Sequence, residues 1–145
     1  MARPFWLACP VIAATLAAGC GSPAPRQYDE QTLAAADMFG KVATAYRQAY
    51  QAKKKPPTLD DLKPFLKQHG DSVASLVSPR DQKPIVLVPF VPDNRLAEGE
   101  EPIVAYEAEG VNGERMLVDS RGLVRLEKDA DFAKIKFAGG HQPAR

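Results

Sequence analysis

Apolar positions change their period along the chain, and the changes divide it. From Phe5 to Ala18 nearly every residue is apolar or small, with Pro10 as the interruption. The run is shorter than the roughly 20 residues a membrane-spanning helix needs. From Asp29 to Ala52 the apolar residues Leu33, Ala36, Phe39, Ala43, Tyr46 and Tyr50 recur three and four apart, with Val42 and Ala49 widening the stripe. This spacing predicts one long helix over 29–52 that buries the stripe. Asp29 is placed to cap its start, and Asp37 faces away. Lys53, Lys54 and Lys55 sit at the negative end of the helix dipole, and Pro56-Pro57 stop the helix.

A second, shorter helix opens at Thr58, a natural N-cap, with Asp60 and Asp61 at its positive end. Leu59, Leu62, Phe65 and Leu66 are expected to face the core, and Pro64 to split the segment into two turns. Ser78 to Pro84 is rich in turn residues.

From Ile85 the period becomes that of strands. Ile85 to Val88 is apolar throughout, which predicts a central strand or one covered on both faces, ended by Pro89 and Pro92. Asp93 to Glu101 reads as a polar loop. Ile103 to Ala108 is the next strand, with Val104 and Tyr106 on one face. Asn112-Gly113 is a strong hairpin signal. Arg115 to Asp119 follows, with Met116 and Val118 on one face, then a turn at Ser120-Arg121-Gly122 with Gly122 left-handed. Leu123 to Glu127 returns with Val124 and Leu126 on one face. Asp129 to Phe137 is expected to close the fold as a helix with Phe132 and Ile135 inward, and 138–145 to be a disordered tail. The fold class is therefore α+β: a long N-terminal helix packed on a small antiparallel meander of about four strands, occupying 29–137 as one domain.

Charge and cysteine content narrow the chemistry. There are 19 Lys and Arg against 18 Asp and Glu. Loss of Arg3 with the leader would balance them, so no basic face for nucleic acid is expected. Of the two cysteines, Cys9 lies in the apolar leader and Cys20 follows it. One remaining thiol allows no internal disulfide and no Cys-based metal site. The two histidines, His69 and His141, are far apart in sequence and show no metal-ligand spacing. Asp60-Asp61 reads as capping rather than as a catalytic pair, because neighbours on a helix diverge by about 100°. Gly70-Asp71-Ser72-Val73-Ala74 has the outline of a nucleophile elbow without the preceding strand that motif needs. No cofactor or metal is expected. The acidic loop lacks the spaced oxygens and Gly of a calcium loop. Its Arg95, Glu98, Glu100 and Glu101 are instead the candidate protein contact.

Arg3, the apolar run and the small residues before Cys20 have the parts of an export signal. Ala17-Ala18-Gly19-Cys20 resembles the lipobox of bacterial lipoproteins, with Leu16 one place further out than usual. The resemblance implies a signal peptide over 1–19, cleavage between Gly19 and Cys20, and acylation of the Cys20 sulfur and amine. Several acyl chains hold a protein at a membrane far more firmly than one. Residues 20–28 then form the lipidated cysteine and a Gly/Ser/Pro tether. An Asp after the cysteine resembles an inner-membrane retention signal. Gly21 stands there instead, which favours the outer membrane of the envelope, facing the periplasm.

The helix followed by a meander also resembles the globular heads of type II secretion pseudopilins and type IV pilins, and the uncharacterised lipoproteins of planctomycete type that carry such a head. The stretches that carry the likeness are Ala45-Tyr46…Tyr50, Pro56 to Leu62, Ser78-Pro79-Arg80-Asp81 and Val118-Asp119…Gly122. It implies the fold and a role beside envelope or secretion proteins. The processed N-terminal helix that builds pilin fibres is replaced here by the lipobox, so fibre assembly is not implied. A non-enzymatic binding or structural head is the leading expectation. A periplasmic enzyme and a small-ligand binder are the alternatives.

Overall fold

The computed structural model describes residues 27–70, 75–92 and 95–143. Helix α1 runs Glu30–Lys53 and α2 runs Leu59–Leu66, continued by a 3-10 turn Lys67–His69. The strands are β1 Val86–Leu87, β2 Glu100–Glu101, β3 Ile103–Tyr106, β4 Glu114–Asp119, β5 Val124–Lys128 and β6 Lys136–Phe137, with a one-turn helix Asp129–Phe132 between the last two. The main sheet has the order β1-β3-β4-β5, antiparallel throughout, with an irregularity in β3 between Ile103 and Ala105. The expected α+β architecture is thus the one observed.

Local chemistry sets the helix ends. Asp29 accepts a hydrogen bond from the Thr32 amide at 2.7 Å, and Lys54 closes α1 in a left-handed conformation with its N–H on Tyr50 O. Thr58 and Asp61 form a reciprocal capping box at the start of α2, which satisfies donors the helix itself cannot. Asp61 is buried and also takes the Lys53 ammonium, tying the end of α1 to the start of α2. Together with the Thr58 amide and hydroxyl, that ammonium holds the Asp61 carboxyl well below the ordinary range. Asn112 and Gly113 both have positive φ, as the tightest hairpin turns require, and Gly122 has φ 94° at the β4–β5 turn.

The sheet separates two apolar layers. Phe39, Val42, Tyr46, Leu62 and Leu66 of the helices cover one face, meeting Met116 and Val118. Tyr106, Leu117, Phe132 and Phe137 form the other. Tyr46 ties the helix to the segment that follows β1. Its hydroxyl contacts Val88 O at 3.0 Å and Phe90 O at 2.8 Å, and accepts from Phe90 N at 2.9 Å. Burial pushes its pKa up to about 12.

Several expectations are corrected. Leu33 and Leu59 are 58% and 40% exposed. The buried face of α1 is rotated toward Ala35, Met38, Phe39 and Val42, because the helix lies over the middle of the sheet and leaves Leu33 at its flank. Pro64 does not split α2; the helix is continuous through it and tightens only after Leu66. The strand at Ile85–Val88 is not central: two of its residues pair, at the sheet edge, with prolines on both sides. The closing helix ends at Phe132, after which Lys136–Phe137 pairs in parallel with Glu100–Glu101, so the acidic loop contributes a strand. Residues 138–143 do not fray: Ala138 is fully buried, and the His141 ring lies 2.9 Å from the Tyr106 hydroxyl.

Candidate functional site

On the second face of the sheet the one-turn helix, β6, the segment after it and the loop before β2 surround an open cleft of about 750 Å³. The aromatic layer is its base. Tyr106 stands 5.1 Å from Phe132 and 5.3 Å from Phe137, and His141 lies 5.5 Å from Phe137. Rings at these separations and tilts attract through their quadrupoles as well as by burial. Burial lowers the His141 pKa and raises that of Tyr106.

Charged groups form the rim, and most are held by the fold. Arg115 donates from Nε to Asp129 Oδ1 at 2.9 Å and from Nη1 to Ala108 O at 2.6 Å, with its guanidinium 4.8 Å above the Phe132 ring. Glu100 accepts from the Ala97 amide at 3.0 Å. Glu98 and Lys136 also line the cleft and have no ion pair among the described residues.

The structure divides the predicted contact cluster. Glu98 and Glu100 face the cleft, whereas Glu101 pairs with Arg125 on strand β5 of the main sheet. Arg95 is exposed, next to residues outside the described set. Gly19 and Cys20, and the Asp71 to Ala74 part of the serine motif, also lie outside the described residues. Asp60 is exposed and pairs with Lys63, and Asp61 serves the capping box, so the adjacent carboxylates act as caps and ion pairs. His69 and His141 line separate depressions. Among the described residues no group of three His, Cys, Asp or Glu is placed to hold a metal. None of the described helices is long and apolar enough to cross a membrane.

Sequence reasoning missed a second polar centre. Glu107 is fully buried, and its carboxylate takes Ser78 Oγ at 2.7 Å, Arg80 Nη1 at 2.5 Å and the Met116 amide at 2.8 Å. The Arg80 side chain is 7% exposed. Burial raises the Glu107 pKa, opposed by the bonds from Met116 and Ser78 and by the Arg80 charge. Nearby, Asp81 accepts the amides of Glu109 and Gly110 at 3.1 Å each. These bonds fasten the 78–84 turn to the β3–β4 hairpin, a structural role. A glutamate ending the apolar run Ile103 to Tyr106 was the available signal.

Compared with known proteins, the chain matches no family model, no curated protein and no solved structure.

Proposed function

We propose that this chain is a lipid-anchored envelope protein, held at the membrane through Cys20, whose head binds another envelope or secretion protein without catalysing a reaction. The anchor is supported by the lipobox-like residues ending at Cys20 and by the short tether to Gln27. The binding role rests on one observation: the titratable groups with defined partners around the cleft are engaged within the fold. His141 faces the Tyr106 hydroxyl, Arg115 is held by Asp129, and the Glu100 carboxylate takes a backbone amide. A general acid or base must reach a proton on its substrate, and these groups are held by partners within the fold, which leaves Glu98 and Lys136 as the charges the cleft presents. The exposed Glu98 and Lys136, above an aromatic base, suit a partner segment carrying both charge signs and an apolar anchor.

The test is capture from detergent-solubilised envelopes with the parent, Glu98→Lys and Lys136→Glu as baits. A partner held by the parent and lost with both reversals, while their thermal melts match the parent, supports the reading. Unchanged capture removes the cleft from it, and turnover of a substrate by the purified protein overturns it. The cleft volume also lies within the range of small-molecule sites, roughly 300–1,000 Å³. A small-ligand binder is therefore the second reading, distinguished by a thermal shift with small molecules and no captured protein.

A further inference from the structure

Strand β5 ends the main sheet, and its outer edge is unpaired among the described residues. The hydrogen bonds Asp119 N to Leu123 O and Asp129 N to Gly113 O fix which residues of β5 turn inward. In the observed register the odd-numbered residues bond to β4. The N–H and C=O groups of Val124, Leu126 and Lys128 therefore point outward. An edge of this kind is a template for another strand.

The sequence of the edge says which strand. Arg125 and Glu127 flank Leu126 symmetrically and carry opposite charges. We infer that two copies of this chain pair through β5, antiparallel, about a two-fold axis at Leu126. Leu126 then faces Leu126 of the second copy, and Val124 faces Lys128, in pairs whose outward backbone groups meet. This register forms six interchain hydrogen bonds. Arg125, which within one chain already pairs with Glu101 and Glu127, falls opposite Glu127 of the other copy at the closer, non-bonded positions, where the second carboxylate joins that network. Charges on an edge usually discourage strand addition. Here they are complementary only in this one self-pairing.

A second observation supports the second copy as occupant. Leu33, 58% exposed, and Tyr28, 49% exposed, line an apolar groove beside Val124 and Leu126 on the helix side of the edge. The axis at Leu126 brings the two grooves together, so both copies cover apolar surface that one leaves in water. The inference does not depend on the lipid.

The test uses the full chain in detergent. Lys128 has φ −65°, the angle proline requires, and its N–H points outward. Lys128→Pro should leave the monomer folded while removing two of the six bonds. Sedimentation should show a dimer for the parent and a dissociation constant raised about tenfold or more for Lys128→Pro, with unchanged thermal melts. Glu127→Arg, which leaves the Arg125–Glu101 pair in place, sets like charges opposite each other across the axis and should weaken the dimer. Oxidation of Leu126→Cys should give a linked dimer above the background that Cys9 and Cys20 set in the parent, since facing residues at bonded positions stand about 5.5 Å apart, within disulfide reach. A parent that stays monomeric across the concentration range overturns the inference. So does a dimer indifferent to both Lys128→Pro and the charge reversal.

Discussion

Removing both partners of the Arg80–Glu107 pair should cost less than the two single removals added together. Glu107 is fully buried with three donors on its carboxylate, and Arg80 is nearly as enclosed. Truncating one member of a buried pair leaves the other charged and unpaired, at about 3–5 kcal/mol. That is a large part of the roughly 5–15 kcal/mol that holds a domain. Glu107→Leu also leaves the Ser78 hydroxyl and the Met116 amide without their acceptor. Arg80→Met leaves a carboxylate that can instead take a proton. Replacing both by apolar groups of similar volume removes the uncompensated charge, so the double variant should be about 2–3 kcal/mol more stable than the sum of the single losses predicts. Urea titrations followed by far-ultraviolet circular dichroism measure all four corners of the cycle. pH adds a second reading. Burial raises the Glu107 pKa in the folded state, and loss of Arg80 raises it further. Where the folded pKa exceeds the unfolded one, the folded state binds more protons, and stability falls as pH rises between the two values. The Arg80→Met defect should therefore shrink as pH is lowered from 7 toward the unfolded glutamate value of about 4.3. Strictly additive single losses, or an Arg80→Met defect that is small and independent of pH, would refute the view that this is a desolvated ion pair.

Tyr46→Phe should destabilise the head by about 1–3 kcal/mol, because the Phe90 amide loses its acceptor; an unchanged urea midpoint would show that water replaces the hydroxyl. Gly122→Val should cost roughly 1–2 kcal/mol from strain at φ 94° alone, since no neighbouring atom crowds the added carbon; coincident melts would contradict it. The Asp61 carboxyl lies below its ordinary value beside Lys53, so its contribution is complete above the unfolded aspartate value and is lost as pH falls through the folded one. Lys53→Met should flatten the acid limb of the stability profile there, and an unaltered limb would count against the pair. Intact-mass spectrometry of the membrane fraction should find acyl chains on Cys20 and none in Cys20→Ala; an unmodified Cys20 would remove the anchor.

Sequence alone determined what is decided within a few residues. The bounds of α1, its Asp29 cap and proline stop, the Thr58 cap of α2, and the left-handed positions at Gly113 and Gly122 each follow from local backbone sterics or the donors a helix end leaves unpaired. The alternation of Met116 and Val118 with their neighbours likewise set which residues of β4 turn to the helices, but the burial of Leu117 and Asp119 on the opposite face came from the tertiary structure. Tertiary structure decided the rest. Leu33 belongs to the apolar stripe by spacing, yet it is exposed because the sheet is too narrow to cover that flank of α1. The acidic residues looked like one loop until β6 paired with β2, which turned Glu98 and Glu100 to the cleft and Glu101 to Arg125. Arg80 meets Glu107 across 27 residues, and Tyr106 meets His141 across 35. No local period encodes such pairs. They exist only once the sheet fixes which strands are neighbours, and burial then makes each unpaired polar group too costly to leave alone.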